Sequence, residues 1–120
     1  MKDKIKEKAQ LYFELSDTAN INVKDFNKII SLFAEDASII SGLSENVNGK
    51  EEIIQFFKQF FTRNKELKHF FNVHFKNEQV YVDWAVAGRN IEGNVFSLQG
   101  RDDFEFDSNN KIKKLIVNIT

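Results

Sequence analysis

The chain has 120 residues, 42% of them hydrophobic and 13 of them Phe, with two His, no Cys and a formal net charge of −1. The missing thiols exclude disulfides, zinc–thiolate sites and cysteine nucleophiles and argue against a protein-only transition-metal site, so no cofactor and no metal are expected. A balanced charge without a long basic run argues against a nucleic-acid partner, and no apolar run approaches the ~20 residues that span a bilayer.

The length suits a single domain over 1–120. The first eight residues carry charges and lack the apolar segment of a signal peptide, which makes a cytoplasmic location the default expectation. Ile5, Ala9, Tyr12 and Phe13 share one face of a helix predicted over 2–17. Asp17-Thr18-Ala19-Asn20 breaks that pattern. Asn22 with Asp25 reads as the cap of a second helix over 23–34, whose buried stripe is Phe26, Ile29, Ile30 and Phe33. A short strand is predicted over 36–41, then a loop over 42–48. Asn48 with Glu51 repeats the capping pattern before a third helix over 49–63, in which Ile53, Phe57, Phe60 and Phe61 are apolar.

From Leu67 onward the apolar period drops to two. Four strands are predicted over 67–76, 79–89, 95–106 and 111–119, joined by turns at Asn77-Glu78, Asn90–Asn94 and Ser108-Asn109-Asn110. Such short turns make neighbours antiparallel. The expected fold class is therefore α+β, a cone-like roll of three N-terminal helices on a curved, mainly antiparallel sheet.

One carboxylate falls on the apolar face. In the third of these strands Phe96, Leu98, Gly100, Asp102, Phe104 and Phe106 form one set, while Ser97, Gln99, Arg101, Asp103 and Glu105 form the solvated one. Burial should raise the pKa of Asp102 and suit it to proton transfer near neutral pH; the alternative is a structural Asp held by a backbone amide or an Arg. An odd loop at Ile91-Glu92-Gly93 sets Trp84 against Gly100 and Asp83 against Arg101. An even loop would bring Asp83 and Arg89 inside instead. His69 shares the phase of Phe71 and Val73, either as a general acid or base at a pocket mouth or as a histidine satisfied at the sheet margin. The strand register puts the Cα atoms of His69 and Asp102 roughly 16 Å apart, too far for a direct bond.

The segments LYFELSD, FAEDASII, NGKEEIIQFF and GRDDFEFDSNNKIKKL, in this order and spacing, resemble the nuclear transport factor 2-like superfamily, in its SnoaL-like and ketosteroid isomerase-like branches. The resemblance covers nearly the whole chain. It implies an oxyanion-holding pair at Tyr12 and Asp102, as in the isomerases, an acid/base role for Asp102 in cyclases, and an inward histidine at His69. The isomerases' general base is an aspartate at the end of the first strand, where this chain has Ser41, which cannot abstract a carbon-bound proton without a base of its own. The candidate catalytic residues are Asp102, Tyr12 and His69. A pocket would be walled by Phe33, Ser41 and Phe57 from the first half and by Phe71, Trp84, Leu98, Gly100, Phe104 and Leu115 from the sheet. Two functions stay open: binding of a small, mainly apolar molecule without catalysis, and an isomerase, cyclase or dehydratase acting on a small apolar carbonyl compound. The resemblance also implies a homodimer formed through the outer sheet face at Asn72, His74, Tyr81, Ala85, Ala87 and Gln99.

Overall fold

The computed structural model describes residues 2–42, 45–77 and 79–120. Leu43, Ser44 and Glu78 lie outside the described residues, and with them part of the 42–48 loop and half of the Asn77-Glu78 turn. Helix α1 spans Lys2–Ser16 and buries the predicted Ala9, Tyr12 and Phe13, with Ile5 half-buried and Ser16 buried beside them. Helix α2 spans Val23–Ser31, and the Asn22 side chain accepts from the amides of Lys24 and Asp25 at its start. Asp25 was expected to reciprocate. Its Oδ2 accepts the Thr18 hydroxyl at 2.6 Å instead, which ties the α1–α2 turn to α2.

Helix α2 ends three residues earlier than its apolar spacing suggests. Leu32 caps it, and its carbonyl accepts from Ile112 N at 2.8 Å, so sheet pairing takes over from the helical ladder. Phe33 therefore opens strand β1, Phe33–Ser41, rather than closing the helix. The loop contains a short strand β2, Val47–Asn48, that pairs with Ser38 and Ile39 of β1. Helix α3, Lys50–Arg63, starts after Gly49, whose φ of 85° suits glycine. The expected Asn48–Glu51 cap is replaced: β2 pairing claims Asn48, and its amide donates to Glu52 Oε1 at 2.9 Å.

Strands β3 (Asn64–Lys76), β4 (Gln79–Asn90), β5 (Val95–Phe106) and β6 (Ile112–Ile119) form the meander. The sheet order is β2-β1-β6-β5-β4-β3, antiparallel throughout except for the parallel β1–β6 pair, and the sheet curves over the helices. The turns carry the chemistry that their residues announce. Asn77 and Asn110 take φ of 60°, and Asp107 Oδ1 accepts the amides of Asn109 and Lys111.

The β4–β5 register pairs Trp84 with Gly100, Asp83 with Arg101 and Val86 with Leu98. The odd loop thus holds, and Asp83 and Arg89 face outward. Ile29, Phe33, Ile39, Ile53, Val82, Ile112 and Leu115 form the most deeply buried core, between the helices and the concave side of the sheet. Each such side chain stabilises the fold by about 1.5–3 kcal/mol relative to exposure. Among the described residues no helix is long and apolar enough to cross a membrane.

Candidate active site

Strand alternation carries Asp102 into the space beneath the helices, where it is 3% exposed. Its neighbours across the ladders are Val82 and Val117, neither of which can solvate a charge. The Trp84 indole donates its Nε1–H to Oδ1 of Asp102 at 2.8 Å. Burial raises the Asp102 pKa to about 7; the Trp84 bond works against that rise, and the negative charge of Asp103 adds to it. Asp102 thus holds its proton far above the ordinary carboxylate range, toward the neutral pH at which a carboxyl group can give a proton and take it back.

Tyr12 stands near this carboxyl from α1. Its ring makes edge contacts with Phe13, Phe33, Phe57 and Phe104, at centroid distances of 5.0 to 6.2 Å. Burial, with a smaller contribution from the Asp102 charge, pushes its hydroxyl pKa well above 10, so Tyr12 remains a neutral phenol.

His69 enters from β3 with a partner that sequence reading passed over. The Asp17 Oδ1 accepts both the His69 backbone amide, at 2.8 Å, and the Nδ1 edge of its ring, at 2.7 Å. An oxygen already accepting an amide proton has a lone pair for Nδ1–H, so the neutral ring carries its proton on Nδ1 and keeps Nε2 as an acceptor. Burial lowers the His69 pKa below 6.5, and the hydrogen bond and charge of Asp17 offset only part of that. A neutral imidazole with a held tautomer is a base ready to take a proton. The local sequence presents Asp17 only as the first residue of the break after α1. Its partner is 52 residues away, and no local pattern announces it.

A cavity of about 560 Å³ joins these groups. Tyr12, His69, Trp84 and Asp102 all line it, together with Ser41, Phe57, Leu98 and Leu115. Four of the expected wall residues lie off it. Phe33 and Phe104 are spent in the ring cluster around Tyr12, Phe71 stacks on Phe13 at 5.3 Å, and the inner side of Gly100 is covered by Trp84. Inward phase alone does not separate a core ring from a wall ring. Phe56, Phe60 and Phe96 complete the apolar lining, while Gln59, Arg63, Asn90 and Glu92 stand at the exposed end. Among the described residues no three His, Asp or Glu side chains cluster as metal ligands.

No curated protein matches the sequence. Among solved structures, a nuclear transport factor 2-like protein of unknown function from Exiguobacterium sp. 255-15 is 26% identical, with a TM-score of 0.86 over 94% of this chain and 98% of that one. The epoxide hydrolase/cyclase-like enzyme SalBIII, described as acting in pyran ring formation in the polyether salinomycin, is 20% identical, with a TM-score of 0.84 over 99% of this chain and 92% of its own. A putative polyketide cyclase from Xanthomonas campestris pv. campestris is 15% identical, with a TM-score of 0.81 over 96% and 89%. These two establish the likeness of fold. The sequence profile of the SnoaL-like domain matches residues 16–115, and the chain belongs to that family.

Proposed function

We propose that the chain binds a small, mainly apolar oxygenated molecule in the cavity and moves protons on it, as a cyclase, dehydratase or isomerase would. One observation carries this reading: a single cavity is lined by a carboxyl group balanced near neutral pH and by a histidine whose Nε2 is left as base. Asp102 would protonate a carbonyl, hydroxyl or epoxide oxygen of the ligand while Tyr12, as a neutral phenol, donates a hydrogen bond to it. His69 Nε2 would take a proton from a hydroxyl or carbon further along the same molecule. The ligand then gains one proton and loses one, so a ring closes, water leaves or a double bond shifts without any external acid. The rough 16 Å between the two Cα atoms asks for a ligand that spans the cavity. The polar end at Gln59, Arg63, Asn90 and Glu92 would hold its hydrophilic substituents. Ser41 supplies no base, so the reading rests on His69.

Binding without chemistry is the narrower reading; the apolar majority of the wall favours it. A thermal-shift screen of apolar carbonyl and hydroxy compounds, followed by product analysis on the hits, separates the two. Conversion by the wild type and binding without conversion by Asp102→Asn supports proton transfer. Binding without conversion by both leaves a binding protein, and stabilisation by no compound would contradict both readings. We also propose that the outer face of the sheet, with Tyr81, Ala85, Ala87 and Gln99, pairs with a second copy. Sedimentation showing only a 14.0 kDa species at micromolar concentration would refute that.

A further inference from the structure

Three neighbouring positions on β4 and β5 act together in a way that the proposed reaction does not by itself require. Gly100 and Asp102 are successive inward residues of β5, and Trp84 pairs with Gly100 across the ladder. A Cβ on Gly100 would meet the Trp84 ring at Cζ2, 2.7 Å away, and the carbonyl of Asn118. The bare backbone at Gly100 leaves room for both the Asn118 carbonyl of β6 and the edge of the Trp84 indole. Lying there, the indole points Nε1–H at the next inward side chain, and the bond to Asp102 Oδ1 closes at 2.8 Å. Its backbone neighbours alone would leave that carboxyl among valines.

We propose that Trp84 is a positioning residue: seated against the bare Gly100 backbone, it occupies Oδ1 of Asp102 and so fixes the acid proton on Oδ2, the oxygen left for a ligand in the cavity. The chemistry follows from the donor. An indole N–H can only donate, so the oxygen it meets serves as the carbonyl oxygen of a neutral carboxyl or as one end of the carboxylate. The same bond is stronger to the charged form and favours ionisation, opposing the desolvation that dominates at this site. Trp84 thereby sets both where the proton sits and how readily it leaves. The charged and titratable groups near Asp102 are Asp103 beside it and Tyr12 across from it, both of which disfavour its ionised form or are disfavoured by it. The neutral Trp84 donor pulls the other way.

This inference rests on the proton-transfer reading for its purpose, but its test needs no substrate. Trp84 is the sole Trp of the chain, so feeding a tryptophan auxotroph β-(3-benzothienyl)alanine replaces this one indole by a ring of the same shape without N–H. Trp84→Phe removes the donor by ordinary mutation. Asp102 is followed in each protein by the pH titration of its side-chain carboxyl ¹³C shift, with circular dichroism to establish the fold. The midpoint is expected to rise by about one pH unit in both altered proteins, the size of one lost charge-assisted hydrogen bond. A merely space-filling Trp84 would leave the midpoint of the benzothienyl protein where the wild type has it, and that result, or a fall, would overturn the proposal. If the Asp102 midpoint moves as expected while Asp102→Asn converts every substrate as fast as the wild type, the positioning role stands and the proton-transfer reading falls.

Discussion

Asp83 and Asp102 are the same residue type on adjacent strands, one register step apart and on opposite faces of one sheet. On the outer face Asp83 accepts from Arg101 Nε at 2.8 Å and lies 3.3 Å from His74 Nε2, while the Arg101 guanidinium covers the Tyr81 ring at 4.3 Å. The Arg101 hydrogen bond holds the Asp83 pKa below the ordinary carboxylate value. On the inner face Asp102 has a neutral donor and, among the described residues, no cation beside it, and its pKa goes up to about 7. The residue type therefore decides little. The face decides whether a carboxyl at pH 7 is a fixed charge or an exchangeable proton, and strand parity decides the face.

The largest expected contrast lies in packing. Phe104→Ala opens the ring cluster around Tyr12 and should cost about 3–5 kcal/mol in chemical denaturation. Phe70→Ala, on the outer face at 65% exposure, should stay within about 0.5 kcal/mol. Equal losses at the two positions would mean that the faces are wrongly assigned.

A comparable effect should appear at Asp102, but only at one end of the pH scale. Its folded pKa lies above the unfolded value, so the native state binds more protons between pH 3.8 and 7 and loses stability as pH rises through that window. The difference between wild type and Asp102→Asn should be near zero below pH 4 and grow to roughly 4 kcal/mol in favour of the mutant above pH 7. Asn Oδ1 can keep the Trp84 bond. A mutant that is no more stable than the wild type at pH 8 would show that the carboxyl is satisfied in its charged form.

At His69 the sign reverses. Its pKa is lowered in the fold, so protonation favours the unfolded chain, and stability present above pH 6.5 is lost as pH falls below that value. Asp17→Ala removes the acceptor of both the ring and the backbone bond and should cost about 1–3 kcal/mol, with a further drop in the His69 pKa read by ¹⁵N shifts of the imidazole. The smallest effect belongs to the outer face. Asp83→Asn breaks an exposed ion pair, and its denaturation midpoint should match that of the wild type.

The site was legible in the sequence wherever it depends on strand parity. The solitary carboxylate among Phe96, Leu98, Gly100, Phe104 and Phe106 and the pairing of Trp84 with Gly100 both follow from a period of two and an odd loop. The bond from Trp84 to Asp102 was not legible, because it runs diagonally from one inward position to the next and depends on the tilt of the indole. Asp17 was hidden by its distance along the chain. Phe33 fits the helical stripe of Phe26, Ile29 and Ile30 as well as it fits a strand; only the backbone bond between Leu32 and Ile112, contributed by the far end of the chain, ends the helix before it. Patterns within one element were readable, and contacts between distant elements were not.

The contrast between the two aspartates can be read in a single sample. In protein labelled with ¹³C at the Asp side-chain carboxyls, with Asp102→Asn and Asp83→Asn used to assign the two signals, titration from pH 2 to 9 follows both groups. Asp102 is expected to titrate with a midpoint near 7 and Asp83 below 3.8. An Asp102 signal that completes its titration below pH 5 would contradict this expectation, and with it the assignment of this residue as the proton donor of the cavity.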